Sequence, residues 1–193
     1  MIAVTVVVPV KNEQANIPAC LDLLRDFSQV IVVDSGSTDD TCAIAKSYAN
    51  VTVVQFSWNG VFPKKRNWAL RNCQFDNDWI MFLDADEFIT DKFKEELQRS
   101  LVGTSCNGFW LTFDNYFMGK CLRHGDKFRK LALMRKGCGQ YERIEENQWS
   151  KLDMEVHEHL QVTGAVGSIS APIIHRDFKG LDKYIDRHNQ YSS

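Results

Sequence analysis

Short, β-branched apolar runs alternate along the chain with stretches in which apolar residues recur every three or four positions. Residues 3–8, AVTVVV, are continuously apolar, as in a strand buried on both faces of a parallel sheet. The following KNEQANIPACLDLLRDF places Ile17, Leu21, Leu24 and Phe27 at helical spacing, which predicts a helix reaching Phe27. A second run, VIVVD at 30–34, leads through SGSTDDT into a helix carrying Ile44, Ala45 and Tyr48. Ser37 and Asp40 are spaced there as a capping box. The pattern then predicts a strand at 51–56, a helix at 63–73, a strand at 79–84 and a helix from Thr90 to Leu101. Strand and helix in strict alternation imply a doubly wound, mostly parallel sheet with right-handed crossovers and helices on both faces.

After Gly103 the period shortens to two. GFWLTFDNYF, RKLALMRKG and SISAPIIH (168–175) read as strands, and LDKYIDRHNQY as an amphipathic helix on Leu181, Tyr184, Ile185 and His188. The second half is therefore mixed or antiparallel. With no internal repeat, low-complexity segment or linker, one α/β domain over 1–193 with one shared sheet is expected. The bare YSS ending just after a helix suggests a longer protein trimmed at its C-terminus.

Composition changes this picture little. The 44% hydrophobic and 25% charged fractions are those of an ordinary globule, and a net charge of -2 gives no reason to expect a nucleic-acid partner. The six cysteines form no C-x-x-C pair and no dense disulfide pattern, as expected of reduced thiols in the cytoplasm. MIAVTVVVPV lacks a basic leader, is broken by Pro9 and is too short to cross a bilayer, so it reads as a strand rather than a signal. Any membrane contact would then be peripheral. The segment 120–136 holds seven Lys or Arg against Asp126 alone. It would suit a phosphorylated acceptor, a diphosphate or the anionic inner leaflet, or else be the solvated face of a hairpin. Trp110, Phe113, Tyr116 and Phe117 beside it could stack on sugars or simply line the core.

The candidate chemistry lies where apolar strands meet carboxylates. WIMFLDADEF sets five large apolar residues against Asp84, Asp86 and Glu87, and VIVVD ends in Asp34. In open parallel sheets ligands bind beyond the carboxyl ends of strands, so Asp34 and Asp84 should share one rim. Carboxylates crowded together repel, and a divalent cation with oxygen ligands, Mg²⁺ or Mn²⁺, would relieve them while also gripping substrate phosphates. The plainer alternative is a solvated loop capping the next helix, stronger still for Asp39 and Asp40, which open one.

Four stretches in order, VVVPVKNE (6–13), VVDSGSTDDT (32–41), KKRNWAL (64–70) and FLDADE (82–87), resemble the inverting family 2 glycosyltransferases of the GT-A fold. The similarity is closest to bacterial lipopolysaccharide core β-glucosyltransferases. It is strong over 3–90 and looser through KLALMRK and MEVHEHL to about 175. The resemblance implies a UDP-sugar donor, glucose foremost, and a hydroxyl acceptor on lipopolysaccharide core or a similar glycan. Residues 1–102 would be the nucleotide-sugar half and 103–193 the acceptor half. It further implies that Pro9, Val10 and Glu13 edge the nucleotide pocket, Asp34 accepts a hydrogen bond from uracil, Arg66 lies near the base or diphosphate, Asp84 contacts the ribose and Asp86 holds the metal. Where the family often has Ala, this chain has Lys64 and Lys65, which could equally be a solvated helix face.

Transfer to a hydroxyl needs a base. KLDMEVHEHL crowds Asp153, Glu155, His157, Glu158 and His159, and its VHE matches the tripeptide of the most similar family members, which makes Glu158 the first choice and Asp153 the second. His157 could orient that carboxylate or stand on the surface. His175, ending an apolar strand, could be a further metal or diphosphate ligand or a plain strand-end histidine. A haloacid-dehalogenase-like phosphatase also ends a strand in Asp-x-Asp, but Phe88 stands where its Thr or Val belongs. A nicotinamide enzyme needs a glycine-rich first turn and a nucleotidyltransferase a glycine-rich basic loop, and VPVKNEQ has no glycine. A non-catalytic nucleotide-sugar-binding subunit would keep every donor motif while Glu158 was dispensable.

Overall fold

The computed structural model describes residues 1–60, 62–117, 119–122, 128–143, 158–176 and 180. The predicted C-terminal helix lies outside them. The first half follows the alternation: β1 (Ile2–Val10), α1 (Ile17–Leu23), β2 (Phe27–Asp34), α2 (Thr41–Lys46), β3 (Val51–Gln55), α3 (Lys65–Asn72), β4 (Trp79–Phe82), β5 (Glu87–Phe88) and α4 (Asp91–Leu101). The second half is β6 (Gly108–Phe117), β7 (Lys120–Cys121), β8 (Phe128–Arg135), β9 (Gly139–Tyr141), β10 (Leu160–Val162) and β11 (Val166–His175).

One sheet runs β3-β2-β1-β4-β8-β6-β11-β5, with β7 added to β6, and β9 with β10 forms a separate pair. The strands β3, β2, β1 and β4 are mutually parallel, β8 is antiparallel to β4 and β6, and β11 returns parallel to β6. Both halves thus share the sheet, as expected.

Alternation along the strands splits the core into two layers. Val4, Val6, Val8, Val30 and Val32 pack with Ile17, Leu21, Ala45, Phe93 and Leu97 from α1, α2 and α4. Val7, Ile31, Val33, Ile80 and Phe82 pack on the other face with Ala69, Trp68, Tyr141 and Leu160. Removing all these side chains from water is the main driving force of the fold.

Three expectations are corrected. Phe27 does not end the first helix but opens β2, opposite Ile2. It is fully buried in the same cluster as Leu21 and Leu24, so a burial pattern cannot separate the two placements. The capping box does not form: Asp40 holds the N-cap position of α2 with no side-chain cap bond, and Ser37 turns back to Asp34. Thr41 N instead donates to Asp39 Oδ1 at 3.1 Å. The predicted strand at 79–84 stops at Phe82, Leu83 N still donating to Val7 O at 3.0 Å before Glu87 N closes a turn on Asp84 O. Beyond that turn Glu87 and Phe88 form β5, unexpected from sequence, against His175 and Ile174. The helix start at Thr90 is as read, its hydroxyl accepting from Phe93 N at 3.1 Å.

Candidate active site

Strand β1 lies between β2 and β4, so the chain reverses its winding there and the carboxyl ends of all three strands open onto one rim. Val10 ends β1 opposite Asp34, and its carbonyl accepts from Ser35 N at 3.1 Å and from Lys65 Nζ at 3.3 Å. Lys64 and Lys65 are both buried rather than a solvated face; the Lys64 ammonium sits 4.9 Å above the Trp58 ring.

The loops after β1 and β2 are stitched together. Asn12, at φ 55°, donates from its N–H to Ser37 Oγ at 2.8 Å and accepts from Thr38 N at 2.8 Å. Left-handed backbone suits asparagine better than other residues with a Cβ. Glu13 N donates to Thr41 Oγ1 at 2.8 Å, and the Glu13 carboxylate accepts from Asn16 Nδ2 at 2.9 Å. Asp34 accepts from Gly36 N at 3.0 Å, from Ser37 N and from the Ser37 hydroxyl. Burial alone would raise its carboxyl, but the bonds from Ser37, then Cys42 and Gln55, hold it below the usual carboxylate range.

At the end of β4 the negative charge is met by cations of the protein itself. Asp84 Oδ1 accepts from Arg66 Nη2 at 3.2 Å and Oδ2 from Lys130 Nζ at 3.1 Å. Lys130 also reaches Glu87 Oε1 at 2.5 Å, and the Asp84 N–H donates to Glu87 Oε2 at 2.8 Å. Arg66 turns its other nitrogen, Nη1, to Glu158 Oε1 at 3.1 Å and lies over the Tyr141 ring. Arg66 is 12% and Glu158 2% exposed in the side chain, so this chain of charges is largely shielded from water. Burial would raise the Asp84 carboxyl, yet Lys130 first and Arg66 second hold it far below the ordinary range. Burial pushes Glu87 up, and Asp84 and Asp86 add to that against Lys130.

Asp86 stands apart from this network. Its Oδ2 is 3.4 Å from His175 Nε2, and its backbone carbonyl accepts from Arg176 N at 2.9 Å. The bond to Asp86 raises the His175 pKa against the effect of burial. On the far side of the ring, Nδ1 is 3.0 Å from Asn115 Oδ1. Among the described residues no three His, Cys, Asp or Glu side chains gather into a metal-holding group.

Of the residues singled out from sequence, the fold gathers Pro9, Val10, Glu13, Asp34, Arg66, Asp84, Asp86, Glu158 and His175 at or beside this rim. Asp153 lies outside the described residues, as do Glu155 and His157. The cluster of carboxylates is not uncompensated, since Arg66 and Lys130 neutralise Asp84 and Glu87. Nor is the basic segment 120–136 a single solvated face. Lys130 is drawn into the site, Arg135 stacks on Trp79 at 4.8 Å, and Lys136 donates to the Phe75 carbonyl at 2.8 Å; among the described residues of the segment Lys120, Arg129 and Lys136 are exposed. Of the four neighbouring aromatics, Phe113 is core, and Trp110 remains 39% exposed. Sequence reasoning missed the parts of Lys130, Tyr141 and Asn115. The signal for Lys130 was a cation just before Ala132, Leu133 and Met134, all buried, on one strand.

A parallel sheet with a charged rim at its switch point, extended by a mixed second half, is the GT-A glycosyltransferase architecture. The chain belongs to glycosyl transferase family 2, whose family model matches residues 5–160. It is 27% identical over 94% of its length to the lipopolysaccharide core biosynthesis glycosyltransferase LpsC of Rhizobium meliloti (strain 1021). It is 27% identical over 95% to an uncharacterized glycosyltransferase of Rickettsia prowazekii (strain Madrid E). It spans about two thirds of these relatives, 66% and 63% of their lengths. Among solved structures, S. aureus TarS residues 1–349 in complex with UDP-GlcNAc is similar, with a TM-score of 0.52 and 25% identity over 64% of this chain and 37% of that one.

Proposed function

We propose that the chain is the catalytic part of an inverting glycosyltransferase that moves a hexose, glucose foremost, from a UDP-sugar to a hydroxyl of a lipopolysaccharide core or similar glycan. The family, the similarity to LpsC along nearly the whole chain and the similarity to a fold solved with UDP-GlcNAc all support this reading. The observation that carries it is the single rim on which Arg66 ties Asp84, at the donor side, to Glu158 from the second half. Residues 1–102 serve the donor and 103–193 the acceptor.

Asp86 and His175 are the residues that would hold a divalent cation. Their facing atoms supply one oxygen and one nitrogen 3.4 Å apart, a donor set suited to an ion that keeps waters and takes its remaining ligands from a diphosphate. Mn²⁺ or Mg²⁺ held there would supply charge neutralisation to a diphosphate. The protein's own share is carried by Arg66 and Lys130, two further cations on the same rim, and by Asp84, which takes the ribose. Asp34 recognises the uracil ring, with Pro9, Val10 and Glu13 at the pocket edge. As the acceptor oxygen bonds to the anomeric carbon and the bond to the diphosphate oxygen breaks, Glu158 takes the hydroxyl proton; its carboxylate, held by Arg66, is acceptor-only.

Among the described residues no helix is long and apolar enough to cross a membrane. A cytoplasmic place completes this reading, and exposed Lys120, Leu122, Phe128 and Arg129 support a peripheral contact with the inner leaflet.

The test is transfer from UDP-sugars with Mn²⁺ present or chelated. Asp86→Ala should abolish metal-dependent transfer and donor hydrolysis with the fold retained, and full activity in that variant removes the mechanism. Glu158→Gln should keep donor binding and lose transfer; unchanged turnover moves the base to Asp153. In a thermal-shift screen a selective nucleotide sugar at 100 times its Kd stabilises by about 2.7 kcal/mol.

A further inference from the structure

The backbone fixes His175 from both sides. β11 runs parallel to β6 and antiparallel to β5, which sets Asn115 opposite His175 on one flank and Glu87 on the other. The ring therefore stands between two fixed side chains, with Asn115 Oδ1 3.0 Å from Nδ1 and Asp86 Oδ2 3.4 Å from Nε2. A neutral imidazole carries one N–H, and an amide oxygen can only accept. With that oxygen facing Nδ1, a proton belongs on Nδ1; Nε2 faces the Asp86 carboxylate, a second acceptor, so the proton that a cation would displace is the one on Nε2.

We propose that Asn115 is a positioning residue: by accepting the Nδ1–H hydrogen bond it keeps a proton on Nδ1 and fixes the rotation of His175, so that Nε2, beside Asp86, is the nitrogen turned to a divalent cation. The inference rests on the reading that Asp86 and His175 hold such an ion. Histidines that bind metals ordinarily donate their second ring N–H to an oxygen of this kind, and losing that partner typically costs about 10- to 100-fold in metal affinity. The Asn115 side chain is free to serve this purpose because its place in the sheet is held by other atoms. Its backbone carbonyl accepts from Leu122 N at 2.8 Å, so a substitution leaves the ladder intact.

The experiment measures Mn²⁺ affinity of the whole chain by electron paramagnetic resonance and the hydrogen-bonded Nδ1–H of His175 by ¹H and ¹⁵N NMR without metal. Asn115→Leu should weaken Mn²⁺ binding by about 10- to 100-fold and lose the Nδ1–H signature, with Asn115→Ala as the smaller change should leucine disturb the fold. Asn115→Asp, which keeps an oxygen at the same place, should retain both. If Asp86→Ala and His175→Ala lose Mn²⁺ while Asn115→Leu and Asn115→Ala bind it as the parent does, the positioning role is overturned. If Asp86→Ala and His175→Ala bind Mn²⁺ unchanged, the cation reading itself fails and takes the inference with it.

Discussion

At the end of β2, Asp34 collects its backbone N–H hydrogen bonds from residues two and three positions further along the chain. At the end of β4, Asp84 collects them from Arg66 and Lys130, which are 18 and 46 residues away. Both aspartates close an apolar strand at the carboxyl edge of the same sheet. The first is satisfied mainly by turn chemistry of its own loop, with Cys42 of α2 and Gln55 of β3 adding to it. The second is satisfied only once α3 and β8 have docked on either side of it. The same residue in the same place on a fold can therefore be a local device or a long-range one, and the two should fail differently.

The largest expected effect comes from severing the long-range set. Lys130→Met leaves Asp84 and the nearly buried Glu87 facing each other without their shared cation. It should cost about 3 kcal/mol in urea unfolding, the low end for a broken buried pair because Asp84 keeps part of its side chain wet. A double-mutant cycle of Lys130→Met with Asp84→Asn should show strong coupling, and additive losses would mean that the contact carries no energy.

At the other strand end, Asp34→Asn points an amide NH₂ at backbone N–H groups that now find an acceptor. About 2 kcal/mol should be lost. The damage should be confined to the loops after β1 and β2, read as faster amide exchange there with the β4 and β8 amides unaffected. Ser37→Ala removes one hydroxyl from the same knot and should cost about 1 kcal/mol, in the same amides. Spread of the exchange into β8 would erase the distinction between the two ends.

Acid should reveal the smallest difference. The Asp34 carboxyl is held below its ordinary range in the folded protein. The stability it contributes is therefore present above the unfolded value of 3.8 and lost as pH falls through the folded one. Melting temperatures of the parent and Asp34→Asn should converge as pH drops below that range. A gap that stays constant would show that the bonds to Ser37 and Gly36 do not favour the charged form.

The contrast also sorts what could be read before any coordinates. VIVVDSGS made the strand legible, but its loop was misread: Ser37 was placed in a capping box, whereas it turns back to Asp34 three residues before it. WIMFLDADEF announced the strand and the acids but not what answers them, because Lys130 reaches Asp84 only through the pairing of β4 with β8. Phe27 was misplaced since helix and strand bury it in the same cluster, and β5 was missed because two residues have no period to read. His175 was legible as a strand-end histidine, whereas its partner Asn115 exists only through the β6–β11 register.

By itself the sequence determined the main strands and helices in their order and the acids that end the strands. Those follow from side-chain period and from hydrogen bonds that a residue makes with its near neighbours. Only the tertiary structure decided which charge meets which. An ion pair depends on distance in space, and spatial proximity between Asp84, Arg66, Lys130 and Glu158 is created by sheet order rather than by anything written beside them in the chain.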